Sequence, residues 1–361
     1  MKNQGLLVLS LLLCFCCCTM AGAPRPGAKR PLYEDQYLII NGAKQFVSIR
    51  SKDVNQQPLL LFLHGGPGAS ATVLFQKKNK ALENHFTVVC WDQRGAGRSF
   101  HAKMDQSTLT VPQLIADAQA LIDYLCKRFN RQKIFLVGHS WGSRLGMYLV
   151  RMYPEQIAGY IAVGQEVSAA EGERLSWEYT YKKAKELNNL PALTALEQMG
   201  APQNGRYLSM YKTGFMGMVH QKEWLLKLGG ERYGRTNYND WIRQMLAGYK
   251  FNIASMVRWS KASASTASAL FHDSAFNEFD LRTDIPAVQV PVHFVSGIAD
   301  YNTPWPLVKE YAEKIQAPAK SFTLFDRSGH SPLFEEPQRF NEFVTEIFLK
   351  HQTVSSGISH Q

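Results

Sequence analysis

The chain has 361 residues, 45% of them hydrophobic and 19% charged, which excludes a disordered chain and leaves room for one large core or two small ones. Its formal charge of +10 is scattered; the longest basic cluster is Lys77-Lys78 with Lys80, without interleaved aromatic residues, which argues against nucleic-acid binding.

The first residues read as an export signal. Lys2 gives a positive start, residues 5–18 are an apolar run, and Ala21-Gly22-Ala23 offers a small-residue cleavage site. The expectation is a signal peptide over residues 1–23 and a secreted or periplasmic mature chain. A membrane anchor is the alternative, but the run falls short of the roughly 20 residues a span needs, so no stable membrane span is expected. Lipid attachment at Cys14, Cys16, Cys17 or Cys18 fits less well, because Leu12-Leu13 precede Cys14 where bacterial lipoproteins have small residues. Removal of the signal would leave Cys90 and Cys126, read here as two buried free thiols rather than a disulfide.

Residues 24–35 are rich in proline and charge and lead into the fold. Residues 36–40 and 45–50, separated by Asn41-Gly42, predict a β-hairpin. The continuous apolar runs at 58–63, 86–91 and 133–137 predict strands buried on both faces. Between them, Leu114, Ile115, Ala118, Leu121, Ile122 and Leu125 form a helical stripe over 111–129, with Thr110 and Pro112 suited to its start. A helix over 142–153 stops at Pro154, and 157–163 is the next strand. Strands alternating with helices imply a mostly parallel sheet with helices on both faces.

From 165 to 280 the pattern is helical and contains no convincing buried strand, while Trp177, Trp224, Trp241 and Trp259 all fall there. Alternation then resumes with a strand at 292–296, a helix near 306–315, a strand at 321–325 and a helix over 336–350. The expected organisation is a core of 24–164 and 281–351, a helical cap of 165–280 over the sheet's carboxyl end, and a flexible polar tail at 352–361.

Gly138-His139-Ser140-Trp141-Gly142 is a G-x-S-x-G sequence placed after an apolar strand and before a helix, the setting a nucleophile elbow needs. The turn is tight enough that side chains at Gly138 or Gly142 would strike the neighbouring backbone. A serine hydroxyl needs a base to take its proton, and the base needs an acid to fix its tautomer. His330 follows the strand at 321–325 and Asp300 follows the one at 292–296, so the order Ser140, Asp300, His330 fits a catalytic triad at the strand ends. His64-Gly65-Gly66-Pro67-Gly68 follows the strand at 58–63, and the backbone N–H groups of Gly66, or a neighbour, and Trp141 are the candidate oxyanion donors. No G-K-S/T follows, so the glycines do not form a phosphate loop. His64 is expected to shape this loop by hydrogen bonding. His139 is expected to point away from the serine's partner, and Asp92 with Arg94 to form a structural ion-pair and turn network.

Together, HGGPG at His64–Gly68, WDQRGAGRS at Trp91–Ser99, HSWGS at His139–Ser143 and the Asp300 and His330 loops resemble the proline iminopeptidase family of α/β hydrolases. The resemblance implies an α/β-hydrolase fold, removal of an N-terminal residue (often proline) from short peptides, no metal or other cofactor, and a Gly66–Pro67 bond in the cis form. It also implies acidic cap residues that bind the substrate's amine, for which Glu166, Glu171, Glu173 and Glu178 are all candidates. The chain departs from the family in reading Gly-His-Ser at the elbow, where Gly-Gly-Ser is usual, and Gly164-Gln165-Glu166, where Arg-Gly is usual. A carboxylesterase using the same triad on small esters is the competing reading; epoxide or haloalkane chemistry is not expected, because those relatives carry Asp where this chain has Ser140.

Overall fold

The computed structural model describes residues 29–208, 214–247 and 252–356. The expected signal peptide, with its four cysteines, lies outside the described residues.

Eight strands form one sheet in the order β1-β2-β4-β3-β5-β6-β7-β8. The hairpin of β1 (Leu32–Ile40) and β2 (Ala43–Ser51) turns on Asn41 and Gly42, both at positive φ, the backbone that a two-residue turn matched to strand twist requires. β2 pairs antiparallel with β4 (Thr87–Asp92). From there on every pair is parallel: β3 (Leu59–Leu63), β5 (Ile134–His139), β6 (Ile157–Val163), β7 (Val292–Gly297) and β8 (Lys320–Phe325).

The continuous apolar runs are explained by burial on both faces. Leu59, Leu61 and Leu63 of β3 enter one core with α2 (Val111–Phe129) and α3 (Trp141–Met152), while Leu60 and Phe62 enter the other with α1 (Thr72–Lys78). Thr110 caps α2 by accepting from Gln113 N–H, as its sequence position suggested. Cys90 and Cys126 are free and buried on opposite faces of the sheet.

Between β6 and β7 the chain is helical: α4 (Ala169–Glu186), α5 (Leu190–Met199), α6 (Gly214–Lys227), α7 (Asn239–Leu246), α8 (Ile253–Phe271) and the short α9 (Ser274–Asn277). The two ends of this insert are tied together, with Leu281 N–H donating to Val167 O at 2.7 Å and Ala169 N–H to Phe279 O at 3.1 Å. The insert carries a small core of its own around Ala184, Ala192, Leu196 and Leu228. The chain then runs through α10 (Leu281–Asp284), α11 (Trp305–Lys314), α12 (Pro332–Glu335) and α13 (Pro337–Ser356). α13 extends past the expected end at 350, so part of the tail expected to be flexible continues the helix; residues 357–361 lie outside the described residues.

Candidate active site

Ser140 sits between β5 and α3 with φ 54° and ψ −127°, a left-handed backbone that serine rarely adopts. Such strain persists only where the surroundings leave no alternative. A Cβ on Gly138 would lie 2.4 Å from Gly142 O, and one on Gly142 would lie 2.1 Å from Leu63 O, so both positions require glycine. The Ser140 N–H donates to Val163 O at 3.0 Å, which locks the turn to the next strand. The side chain is thereby presented at the sheet's carboxyl end and the N-terminus of α3, where positive helix-end charge favours an anion.

Asp300 and His330 come from the loops after β7 and β8. These neighbouring parallel strands bring the loops into contact: a Cβ on Gly297 would lie 2.2 Å from Gly329 O. Asp300 is fully buried, and its carboxylate accepts from Asn302 N–H at 3.0 Å, Thr303 N–H at 2.9 Å and the Thr303 hydroxyl at 2.8 Å. Its two oxygens lie 3.2 and 3.1 Å from His330 Nδ1. This holds Nδ1 and leaves Nε2 as the nitrogen free for proton exchange. Burial alone would lower the His330 pKa, but the charge and hydrogen bond of Asp300, with the charge of Glu231, raise it above the ordinary histidine value. Ser140 and His330 line the same cavity.

The loop 64–68 is held from within. His64 Nδ1–H donates to Gly65 O at 2.7 Å, its Nε2 accepts from Gln93 N–H at 3.1 Å, and Gln93 returns a bond to His64 O at 2.8 Å. These two roles specify one neutral tautomer, and burial lowers the ring's pKa. The Gly66–Pro67 bond is cis and Gly66 has φ 119°. Among the described residues, neither Gly66 N–H nor Trp141 N–H is engaged in a hydrogen bond.

Two lobes of the cavity meet at Gly66, Ser140 and Asn302. One, of about 230 Å³, is walled by Phe215, Phe271, Phe276 and Phe279 and carries Glu166 and Glu173. Both acids already face a cation: Glu166 lies 3.2 Å from buried Arg144, and Glu173 lies 3.0 Å from Lys222. Glu171 and Glu178, the other two candidates for the amine, lie outside both lobes. Seven residues apart on α4, they flank Arg174 and clasp it at 2.6 and 2.5 Å on the exposed face, an arrangement that helical spacing favours.

The second lobe, of about 420 Å³, holds an acid that the sequence reading missed. Glu231 is buried, accepts from the Tyr238 hydroxyl and from Asn302 Nδ2, and forms no ion pair among the described residues. Its backbone is fastened to the site: His330 N–H donates to Glu231 O and Tyr301 N–H to Gly230 O, both at 2.8 Å. The signal available in the sequence was an acid directly after Gly229-Gly230, on a loop within a helical stretch.

Two further expectations are corrected. His139 does not point away from the serine's partner; its ring lies 4.9 Å from that of His330 and its Nε2 is 3.0 Å from His330 O. Asp92 and Arg94 do not share one network. Arg94 forms a two-pronged pair with buried Asp117 at 2.7 and 2.9 Å, whereas Asp92 accepts from Ser70, Thr72 and Arg98 N–H.

A sequence profile of the alpha/beta hydrolase fold matches residues 58–337. The chain is 30% identical over 311 residues to the "Probable aminopeptidase YbaC" of Bacillus subtilis, covering 84% of this chain and 92% of that one. It is 31% identical over 328 residues to a proline iminopeptidase of Thermoplasma volcanium, covering 88% and 97%. Among solved structures, the proline iminopeptidase of Mycobacterium smegmatis superposes with a TM-score of 0.62 at 14% identity, over 89% of this chain and 100% of that one. The chain is a hydrolase: it belongs to the α/β-hydrolase fold family and, within it, to the proline iminopeptidase family.

Proposed function

We propose that the chain is a serine aminopeptidase that releases the N-terminal residue, proline or another small apolar one, from short peptides. Ser140 Oγ attacks the scissile carbonyl while His330 Nε2 takes its proton. Asp300 holds the imidazole with its proton on Nδ1 and stabilises the imidazolium. The N–H groups of Gly66 and Trp141 receive the oxyanion. His330 then delivers the proton to the leaving amine, and a water molecule, activated by the same base, releases the acyl group from Ser140.

The observation that carries the reading is Glu231, a buried carboxylate in no ion pair among the described residues, in the lobe that holds Ser140 and His330. An aminopeptidase must tell a charged N-terminus from an internal amide, and a buried carboxylate beside the reacting serine does so by charge. Glu166 and Glu173 are less suited, since Arg144 and Lys222 already face them. The helical insert over the sheet's carboxyl end leaves space for short chains and keeps folded ones out. The names of the relatives support the same activity.

The test is a panel of chromogenic aminoacyl substrates, each with its N-acetylated counterpart and a small uncharged ester. The free amine should be required, Ser140→Ala should abolish nearly all turnover with the fold intact, and a serine-directed organophosphonate should label Ser140. Preference for N-acetylated substrates or uncharged esters would replace the proposal with a carboxylesterase using the same triad. Export through residues 1–23 is part of the proposal; N-terminal sequencing of the mature protein tests it, a start at or near Pro24 being expected.

A further inference from the structure

His139 occupies the elbow position directly before Ser140, and its two ring nitrogens have different surroundings. Nε2 lies 3.0 Å from His330 O and 3.2 Å from Ser331 Oγ. A backbone carbonyl can only accept, so the ring proton is on Nε2. The neutral ring has one such proton, and Nδ1 therefore offers a bare lone pair. Among the described residues Nδ1 has no hydrogen-bond partner, yet it is not sealed in the core. His139 lines the lobe that holds Ser140, His330 and Glu231, and Nδ1 stands 3.3 Å from where a Cβ on Gly65 would be, beside the oxyanion loop.

The ring is held in this orientation on several sides. It lies 4.9 Å from the His330 ring and 5.9 Å edge-on from Phe334, while the Nε2 bond ties it to the loop of the base. Burial, with the nearby charges of His330 and His64, pushes its pKa down to about 3, so the ring stays neutral and Nδ1 remains an acceptor at any ordinary working pH.

We propose that His139 Nδ1 is a second anchor for the substrate's N-terminal amine, accepting one of its N–H groups while Glu231 supplies the opposite charge. This rests on the aminopeptidase reading and adds to it a position-specific hydrogen bond, so that a substrate must present a donor next to the scissile carbonyl as well as a positive charge.

The experiment compares alanyl and propionyl p-nitrophenyl esters, which share the scissile bond and differ by the amine, as a ratio of kcat/KM values. His139→Gln places an amide donor near Nε2 and leaves no acceptor at the Nδ1 position; His139→Asn places an amide oxygen near Nδ1. The alanyl-to-propionyl ratio should fall about tenfold or more in His139→Gln, as expected for a lost hydrogen bond to a charged group, and stay closer to wild type in His139→Asn. Should His139→Gln fail to fold by circular dichroism, His139→Gly takes its place with the same fall expected. A ratio within about twofold of wild type in the folded variant that lacks the acceptor overturns the assignment of Nδ1 while the aminopeptidase reading stands. A wild type without preference for the alanyl ester overturns both.

Discussion

The substitution Glu231→Gln isolates one charge. Glutamine matches glutamate in shape, and its carbonyl oxygen can still accept from Tyr238 and Asn302, so no cavity is created and neither donor loses its acceptor. Under the proposed function, what is lost is the attraction between a buried carboxylate and the substrate's ammonium. Removing one partner of a buried, hydrogen-bonded charge pair costs about 2–5 kcal/mol, or roughly 30- to several-thousand-fold in kcat/KM for an aminoacyl anilide. Two readouts separate this from damage to the fold. Burial raises the Glu231 pKa, so the native state carries a penalty for ionising it once the pH exceeds the unfolded-state value. Glutamine has no such penalty, and the thermal midpoint at neutral pH should be unchanged or higher. The charge of Glu231 also raises the His330 pKa. In the proposed mechanism His330 is the general base and works unprotonated, so activity is lost as the pH falls through that raised value; in Glu231→Gln the acid limb for a propionyl ester should move to lower pH. Aminoacyl turnover within about threefold of wild type, with a loss in Glu166→Gln or Glu173→Gln instead, would refute the assignment of the amine to Glu231.

Asp300→Asn should lower kcat by about 10⁴ with little change in KM, because the carboxylate that fixes the Nδ1–H tautomer is gone; stopped assays at saturating substrate measure it. Gly142→Ala should cost at least the roughly 1–3 kcal/mol typical of overpacking, since its Cβ would lie 2.1 Å from Leu63 O and neither backbone can yield; a thermal midpoint within about one degree of wild type contradicts this. Glu171→Gln and Glu178→Gln should each leave aminoacyl kcat/KM within about twofold, because Arg174 holds both at the exposed face and surface pairs contribute at most about 1 kcal/mol.

The core was legible because its physics is local. Strands buried on both faces must be continuously apolar, and the runs around β3, β4 and β5 have that pattern within one or two residues of their observed ends. The elbow was legible because glycine is the only residue that fits at 138 and 142, so the requirement is written directly into the sequence. Asp300 and His330 follow from chain order once the strands are placed. α1 escaped notice because seven residues give too little periodicity to separate helix from loop. The partners of Arg94 and Asp92 were not legible either, since Asp117 approaches from α2, and Ser70 and Thr72 from the segment after β3.

The cap acids differ from the proposed triad in how they are selected. Four glutamates near the end of β6 are equivalent by position, and what separates them is the cation each one meets in space. Arg174 claims Glu171 and Glu178 through helical spacing, which a sequence can reveal, but Arg144 reaches Glu166 from α3 and Lys222 reaches Glu173 from α6. Glu231, in no ion pair among the described residues, comes from 65 residues beyond Glu166, where no motif marks it. Its place is fixed by the backbone: Gly230 and Glu231 accept from Tyr301 and His330, so the loops that carry the acid and the base also hold the insert against the site. Gly329 could bear no side chain there, because a Cβ would lie 2.2 Å from Glu231 O. Under the proposed mechanism the group that recognises the amine and the group that moves the proton therefore share one rigid junction, and a shift of the insert that displaced Glu231 would displace His330 with it.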